Sequence, residues 1–365
     1  MMGCIVGRFI NRVAGASIAA KDGVTIRLVP NNGANAIHGG GTDGGWCMRK
    51  WAIGKTTDDS VSFSLDSPAG DQGFPGAIVA AVTYTLLPDG TLRAVLTADS
   101  DAETPTNLAP HPYFNLDGAS SNTPIRNHTL QLPTAAHKTK VDFKTILPTG
   151  AIVPVKGSPF DFSTPTALGA RWDSIPVGDF EPGFGGYEAQ FLLGGLDGPG
   201  SKAAVKDCSL ALVTPAAVLS SPTTGRTLTL ATNAPALVVY AGTHLDGSVV
   251  GKGGTRYAKH AALALEPQDP VDWAHHRDTF SECWLGPGRS LARVWELRPG
   301  VDGKKTEREG GWGERGLLRR RVRRRARGDR GRGGVCDHSR RREREKGGAL
   351  CPPSAARRAG DTPHD

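Results

Sequence analysis

Two ionisable side chains, each next to apolar residues, are the first candidates for chemistry in this chain. His111 lies in the segment Leu108-Ala-Pro-His-Pro-Tyr-Phe-Asn-Leu116, and Glu266 directly follows the apolar residues 261–265. A histidine in such a setting can donate a proton, and a partly buried carboxylate has the raised proton affinity that suits a general base. Both also have structural explanations. His111 can be a hydrogen-bonded core residue, and Glu266 a strand-end carboxylate paired with an arginine or lysine.

Three further polar residues are candidate binding groups. His38 precedes Gly39-Gly-Gly41, and glycine there would let backbone approach a ligand closely. Taken alone, a histidine in a glycine turn is more often a solvated loop residue. Asn11 and Arg12 are adjacent, and the fixed donors of an arginine can reach two hydroxyl groups at once. The simpler explanation of Arg12 is a surface arginine near a strand end.

The elements that must position these residues are predicted to be short strands. The chain has 365 residues with 48 glycines and 26 prolines, and no run of eighteen apolar residues, which excludes a membrane-spanning helix and favours a turn-rich β protein. Segments of alternating or β-branched residues recur between glycine and proline breaks, as in a sandwich or barrel rather than in βαβ units. Pro88-Asp-Gly90 predicts a hairpin turn. The predicted strands cover residues 24–29, 61–65, 77–86, 91–97, 128–132, 210–213, 227–231, 237–241 and 290–297.

Positive charge is concentrated at one end of the chain. Residues 301–365 hold 20 Lys and Arg against 10 Asp and Glu, whereas residues 1–300 hold 24 against 26. We therefore expect a near-neutral folded domain over residues 1–300 and a disordered, arginine-rich tail over residues 301–365. The tail could attach to nucleic acid or another anionic surface. The alternative is a solvated extension without a selected role, since it has few aromatic residues for stacking on bases.

The cysteine pattern indicates neither zinc nor a disulfide framework. The six cysteines are scattered without any C-x-x-C spacing, and we expect no metal at all. The first residues show no charged segment followed by an apolar one, so no secretory signal is visible and a cytoplasmic location is expected.

Several segments, taken together and in order, resemble the aldose 1-epimerases, also called galactose mutarotases. The resemblance runs from Val6 to about Arg298 and implies an all-β fold, the large antiparallel β-sandwich known as a supersandwich. The family's domain begins well before its Gly-Arg-x-x-Asn-Arg motif, so we expect N-terminal strands to be lacking from this chain. The segments are Gly7-Arg-Phe-Ile-Asn-Arg12, Asn31-Asn-Gly-Ala-Asn-Ala-Ile-His-Gly-Gly40, Asp71-Gln-Gly-Phe-Pro-Gly76, Val82-Thr-Tyr-Thr-Leu86, the His111 segment, His244-Leu-Asp-Gly247 and Leu263-Ala-Leu-Glu-Pro-Gln268.

The resemblance implies an isomerase that interconverts the α and β anomers of hexoses such as glucose or galactose. That reaction needs a base for the anomeric hydroxyl, an acid for the ring oxygen and polar groups that hold the sugar, but no cofactor. By resemblance Glu266 is the base, His111 is the acid, His38 contacts the sugar near the ring oxygen, and Arg12 with Asn11 binds hydroxyls. We expect a small aldose as the partner, no membrane association, and a monomer.

Two departures from the family pattern concern the binding pocket, and a third difference is milder. Glu188, in Gly186-Tyr-Glu-Ala-Gln-Phe191, stands where the family has a sugar-binding aspartate. Val238 stands where the family usually has a glutamine, and valine cannot replace that hydrogen bond. The milder difference lies in Gly45-Trp-Cys-Met-Arg-Lys-Trp51, which keeps the family's aromatic residue and final tryptophan but loses its aspartate and lysine. Trp46 could stack on a sugar or serve ordinary packing. Glu188, Val238 and the short N-terminus motivate an alternative function, a sugar-binding relative with impaired catalysis.

Overall fold

Alternating burial along the central strands builds two large antiparallel sheets. The computed structural model describes residues 2–121, 123–142, 144–175, 186–193, 212–280 and 282–302. In the strand from Ile78 to Leu86, Ile78, Ala80 and Val82 are buried, whereas Val79 between them is exposed. Side chains of successive residues point to opposite faces of a strand, so this pattern sends one face into a core.

In chain order the strands of the described residues are β1 (Ile5–Val6), β2 (Arg12–Val13), β3 (Ser17–Ala19), β4 (Thr25–Arg27), β5 (Ala36–Ile37), β6 (Ala52–Thr56), β7 (Ser60–Ser67), β8 (Ile78–Leu86), β9 (Leu92–Ser100), β10 (Thr104–Pro105), β11 (Ala109–Pro110), β12 (Tyr113–Phe114), β13 (Thr129–Gln131), β14 (His137–Asp142), β15 (Leu147–Pro154), β16 (Thr166–Ala167), β17 (Glu188–Leu192), β18 (Val213–Ser220), β19 (Arg226–Thr232), β20 (Ala236–Tyr240), β21 (Leu263–Gln268), β22 (Trp284–Leu285) and β23 (Leu291–Val301). Short 3₁₀ helices cover Ala14–Ala16, His38–Asp43, Trp46–Met48, Asp71–Gly73, Ala119–Ser121, Ile125–Asn127, Leu168–Ala170, Trp172–Ser174, Lys252–Gly254 and Trp273–His275.

Two sheets dominate the arrangement. The nine-stranded sheet has the order β16-β13-β18-β19-β23-β9-β8-β7-β6, and the six-stranded sheet has the order β12-β21-β20-β17-β14-β15. Every pairing between the named strands is antiparallel, including the four small two-stranded sheets. The predicted all-β fold with a large antiparallel sandwich is therefore confirmed. Within the described residues, no helix has the length and apolar character required to cross a membrane.

One hydrophobic core joins the two sheets. Leu96 of β9 and Leu230 of β19 belong to the same buried cluster as Leu237 of β20 and Leu265 of β21. Because side chains alternate along a strand, Leu265 faces this core and its neighbour Glu266 faces the opposite side of the six-stranded sheet. The core thus fixes which face of β21 carries the carboxylate.

Most predicted strands have counterparts, and the differences are local. The Pro88-Asp-Gly90 hairpin is present, with Gly90 N donating to Leu87 O at 2.9 Å between β8 and β9. The sequence predicted that Glu266 follows the end of a strand, but β21 continues through Glu266 to Gln268. It continues because Glu266 and the residues on either side of it pair with β20. Of the strand predicted over residues 210–213, residues 210 and 211 lie outside the described residues, and β18 begins at Val213.

The predicted end of the domain lies inside the last strand. β23 runs through Val301, and Asp302 N donates to Gly225 O at 2.7 Å. The proposed arginine-rich tail begins at residue 301, and its residues 303–365 lie outside the described residues.

Arg8 ties the first segment of the chain to the loop between β7 and β8. Its guanidinium donates to the carbonyl oxygens of Ser67, Pro68, Pro75 and Gly76 at 2.7, 2.6, 3.0 and 2.8 Å. Its Nε donates to Ser67 Oγ at 2.9 Å. Arg8 is fully buried, and that burial lowers its pKa to about 10. Position 8 therefore needs the several donors of a planar guanidinium. The segment that Arg8 fixes leads directly to Asn11 and Arg12.

The substitution Arg8→Lys should lower the free energy of unfolding by about 2–4 kcal/mol, because a lysine leaves several buried carbonyl oxygens without donors. Urea denaturation measures the change. The matched control is Arg93→Lys at an exposed pair with Glu296, where a change within about 0.5 kcal/mol is expected. Equal effects of the two substitutions would contradict the role assigned to Arg8.

Candidate active site

The register between β12 and β21 brings His111 to Glu266. Tyr113 pairs with Ala264 across these antiparallel strands. In an antiparallel pair, position 111, two residues before Tyr113, therefore lies opposite position 266, two residues after Ala264. The result is a separation of 3.4 Å between His111 Nε2 and Glu266 Oε1. The sequence places these residues 155 positions apart, and the sheet makes them neighbours.

Burial controls the protonation of this pair. His111 is 5% exposed and Glu266 is 2% exposed. Burial raises the pKa of Glu266 well above its ordinary value, and the negative charge of Glu188 raises it further. Burial lowers the pKa of His111 to about 4. Each group is therefore pushed toward its neutral form, and at this distance the two titrate as a pair.

The two groups keep unused hydrogen-bonding capacity. Glu266 Oε2 and His111 Nδ1 are buried and have no hydrogen-bond partner among the residues that the structure describes. Among the described residues the ion-pair contact of Glu266 is with His111, and no arginine or lysine pairs with it. The interpretation of Glu266 as a carboxylate paired with a basic residue is therefore wrong. Buried polar atoms without partners are costly, and a bound ligand could satisfy them.

His38 lies beside His111 and is not a solvated loop residue. The two imidazole centroids are 5.6 Å apart in an edge-to-face arrangement, and His38 is 9% exposed. Asn11 N donates to His38 Nδ1 at 3.1 Å, which leaves Nε2 as the protonated nitrogen of the neutral ring. Burial, with a smaller effect of His111, lowers the pKa of His38 to about 3.

The glycines after His38 serve the chain's own packing. A Cβ atom built on Gly39 would lie 2.3 Å from Gly7 O, and one built on Gly40 would lie 2.5 Å from Gln72 Oε1. The close approach that these two glycines allow is therefore used by atoms of the chain itself, and the approach of a ligand stays a prediction. This close packing fixes the His38 loop against the segment that leads to Asn11.

Arg12 and Glu188 form a second polar pair. Arg12 Nη1 lies 3.3 Å from Glu188 Oε1, and Arg12 Nε donates to Asn32 Oδ1 at 3.4 Å. Arg12 is 8% exposed, so the surface-arginine interpretation is wrong. Glu188 Oε2 is buried and has no hydrogen-bond partner within the described part of the chain. Asn11 contributes locally, because its Oδ1 accepts from Arg12 N at 2.9 Å.

Cross-strand pairing places the candidate residues in two rows on one sheet face. Gln190, Val238 and Glu266 are successive Cα partners across β17, β20 and β21. Glu188 pairs with Tyr240 in the neighbouring row, and residues two apart share a face. A pocket is lined by Asn11, Arg12, Glu188, Gln190 and Val238, among others. His38, His111 and Glu266 do not line this pocket, whereas Val238, the cross-strand partner of Glu266, does.

Sequence reasoning missed three residues of this face. Tyr113 stacks on His111 with a centroid distance of 5.0 Å, and burial raises its pKa. Tyr240 lies edge-on to Tyr113 at 6.2 Å. The amide of Gln190 is already used, since it donates to Thr139 Oγ1 and accepts from Val271 N. Tyr113 had a signal, because it stands two positions after His111 and period-two spacing predicts a shared face.

Trp46 takes the packing role rather than the stacking role. It is 1% exposed, and its Nε1 donates to Ser67 Oγ at 3.2 Å. Its ring meets Trp51 edge-to-face at 5.8 Å. A sugar ring cannot reach a side chain so enclosed. Among the described residues, no group of three or more His, Cys, Asp or Glu side chains is placed to hold a metal ion.

The structure is thus an antiparallel sandwich that holds a buried carboxyl–imidazole pair. The aldose 1-epimerase family model matches residues 1–298. The chain belongs to the aldose 1-epimerase family.

Individual relatives agree with this assignment. The chain is similar to an aldose 1-epimerase of Escherichia coli K12, with 34% identity over 298 residues that cover 81% of this chain and 79% of the relative. It is 33% identical to a human galactose mutarotase, over 78% of this chain and 75% of that protein. A crystal structure of an aldose epimerase homologue from C. elegans matches with a TM-score of 0.67 and 28% identity, covering 82% of each chain.

Glu266 should titrate above ordinary glutamates, and Glu188→Gln should lower its pKa. The substitution removes the like charge but leaves the burial, so the pKa should fall without reaching its ordinary value. Carbon-13 NMR of labelled glutamate carboxyls measures both values, with the signal assigned by its loss in Glu266→Gln. Glu103→Gln, at an exposed pair with Lys21, is the matched control and should leave the titration unchanged. A Glu266 that titrates near about 4.3 in the unsubstituted protein would contradict the burial argument.

Glu266→Gln should stabilise the fold at neutral pH. Since the folded-state pKa of Glu266 is raised, the unfolded chain loses this proton first as pH rises, and the folded state becomes relatively less stable above the unfolded pKa of about 4.3. Below that pH both states hold the proton, so the difference between Gln and Glu should vanish. Unfolding midpoints at pH 7 and at a pH of about 3.5 test the sign. A loss of stability at pH 7 would show that the carboxylate is a structural partner.

Proposed function

We propose that this protein is an aldose 1-epimerase that interconverts the α and β anomers of hexoses such as glucose or galactose. The observation that carries the proposal is the contact of 3.4 Å between His111 and Glu266, two buried groups with spare hydrogen-bonding atoms. The names of the curated relatives, aldose 1-epimerase and galactose mutarotase, support the same reaction.

The close spacing of the pair suits a hemiacetal. The anomeric hydroxyl and the ring oxygen are bonded to one carbon atom, so the base and the acid must act on neighbouring oxygens. A separation of 3.4 Å leaves no room for a pyranose ring between the two side chains. The sugar must therefore present its anomeric centre to both groups from one side. An acid and a base on opposite sides would instead require the sugar to lie between them.

The reaction is a balanced exchange of protons. The reacting form is the one in which the pair's proton has moved from Glu266 to His111, which holds as many protons as the neutral pair. In that form Glu266 takes the proton of the anomeric hydroxyl while His111 gives a proton to the ring oxygen, and the bond between that oxygen and the anomeric carbon breaks to give the aldehyde. Rotation about the adjacent carbon–carbon bond turns the other face of the aldehyde to the hydroxyl. On ring closure His111 takes back the proton of the ring hydroxyl and Glu266 returns its proton to the aldehyde oxygen, so each side chain regains its starting protonation state. No proton or electron is consumed, so the chain's own side chains are sufficient.

The remaining polar residues are assigned to sugar binding. Arg12 offers guanidinium donors and Glu188 offers the unpartnered oxygen Oε2 beside the pocket. His38 holds its Nε2 as a donor, because its Nδ1 accepts from Asn11 N. These groups would hold sugar hydroxyls so that the anomeric centre stays against the pair. A small aldose is then the partner, and we infer a monomer in the cytoplasm.

The substitutions Glu266→Gln and His111→Asn should each lower the rate of mutarotation of α-glucose or α-galactose by orders of magnitude. Each change removes a proton-transfer group and retains similar shape and polarity. Polarimetry on freshly dissolved sugar gives the rate. The matched controls are Glu103→Gln and His137→Asn, which change exposed residues outside the site and should leave the rate unchanged.

Two outcomes would contradict the proposal. Near-normal rates in Glu266→Gln or His111→Asn would remove the assigned roles. Calorimetry that shows hexose binding by the unsubstituted protein without any acceleration of mutarotation would support the alternative, a sugar-binding relative with impaired catalysis.

A further inference from the structure

One buried amide lies where three segments of the candidate site meet. Asn107 stands four residues before His111 and is fully buried. Its backbone and its side chain both form hydrogen bonds to other segments of the chain. The residue that its side chain binds is 162 positions away, so no local pattern in the sequence indicates the contact.

The side chain of Asn107 holds the end of β21. Its Nδ2 donates to Asp269 O at 3.0 Å, and Asp269 N donates to its Oδ1 at 3.0 Å. Asp269 directly follows β21 and stands three residues after Glu266. The amide therefore makes, with one residue, the two bonds that a neighbouring strand makes in a hydrogen-bonded pair.

These two bonds act beyond the point where strand pairing stops. β12 pairs with β21 at Leu263 and Ala264, and within the described chain this pairing does not reach Glu266. Continued along both strands, the same register brings Asn107 beside the residues that follow β21. On this edge of β21, Glu266 thus lies between the last strand pair and the bonds that Asn107 makes to Asp269.

The backbone of Asn107 holds the first segment of the chain. Asn107 N donates to Arg8 O at 3.0 Å, and Ile10 N donates to Asn107 O at 2.7 Å. The segment continues to Arg12, the candidate sugar-binding residue. One residue therefore joins this segment to the end of β21.

The residue that Asn107 holds is also fixed to the other sheet. Arg293 Nη2 of β23 donates to the two carboxylate oxygens of Asp269 at 2.7 and 2.8 Å. Both partners of this ion pair are buried. The main chain of Asp269 is held by an amide and its side chain by a guanidinium, so a shift of the end of β21 would break several buried hydrogen bonds at once.

We propose, resting on the function given above, that Asn107 is a positioning residue whose amide keeps Glu266 in place beside His111. Asn107 itself does not touch the reacting atoms. Its effect passes through the backbone of β21, from Asp269 to Glu266. Since acid–base catalysis is sensitive to errors of about an ångström, turnover depends on this placement.

The substitution Asn107→Ala separates the two sets of bonds. It removes the bonds to Asp269 and leaves those to the segment of Arg12, because the latter come from the backbone. Arg12 also keeps its cross-strand partner Ile37 and its contact with Glu188. The loss should therefore impair proton transfer rather than sugar binding.

The test measures kcat and KM of mutarotation in the full-length protein. Asn107→Ala should lower kcat about 10- to 100-fold and change KM by less than about threefold. The matched control is Asn233→Ala. The side chain of Asn233 likewise donates to Ala292 O at 3.0 Å and accepts from Val294 N at 2.9 Å, but these bonds hold β23. This control should leave kcat unchanged.

A second readout does not depend on activity. Asn107→Ala should lower the raised pKa of Glu266, because a loosened strand end lets water reach the carboxyl group. Carbon-13 NMR of labelled glutamate carboxyls measures this value, and Asn233→Ala should leave it unchanged. If Asn107→Ala does not fold, the milder Asn107→Ser, whose hydroxyl can bind a water molecule in the vacated space, should show the same pattern.

The outcomes separate positioning from general stability. An unchanged kcat in a folded Asn107 variant, a raised KM with unchanged kcat, or equal losses of kcat in Asn107→Ala and Asn233→Ala would each overturn the positioning role. If the unsubstituted protein does not accelerate mutarotation, the proposed function fails, and the titration of Glu266 decides the role of Asn107. A lower pKa in the Asn107 variant alone would then support the role, and an unchanged pKa would overturn it.

Discussion

A buried carboxyl group without a cation is the constraint on which the site depends. Glu266 lies inside β21, is 2% exposed and contacts the imidazole of His111. The candidate sugar-binding arginine, Arg12, pairs with Glu188 instead. The protein therefore keeps a carboxyl group whose charged form is made unfavourable by burial and, further, by the negative charge of Glu188. A carboxyl that served stability alone would be paired, whereas one that must exchange a proton gains from a raised pKa.

The sheets make this cost tolerable because they fix the geometry before a ligand arrives. β21 has partners on both sides, β12 and β20, and its alternate residues Leu263 and Leu265 anchor it in the core. The strand cannot rotate to expose Glu266 without removing both leucines from that core. Rigid elements place acid and base to within fractions of an ångström more readily than loops do.

Much of the fold could be predicted from the sequence, and the failures have physical causes. β8 and β9 follow period-two alternation, so their pattern was visible. β14 carries Lys138 and Lys140, and β15 contains Gly150 and begins and ends near prolines, so neither resembles a half-buried strand. The roles of His111 and Glu266 came from resemblance, whereas the contact of Arg12 with Glu188 joins residues 176 positions apart. No local pattern predicts such a contact.

The most direct test of the account is a double-substitution cycle on the anomeric exchange rate, measured by NMR for Glu266→Gln, His111→Asn and the combined variant. If the two side chains work as one proton-transfer unit, the combined variant should be about as slow as the slower single variant, because either loss already disables the exchange. Independent roles would make the two losses of rate multiply in the combined variant. That result would contradict the account.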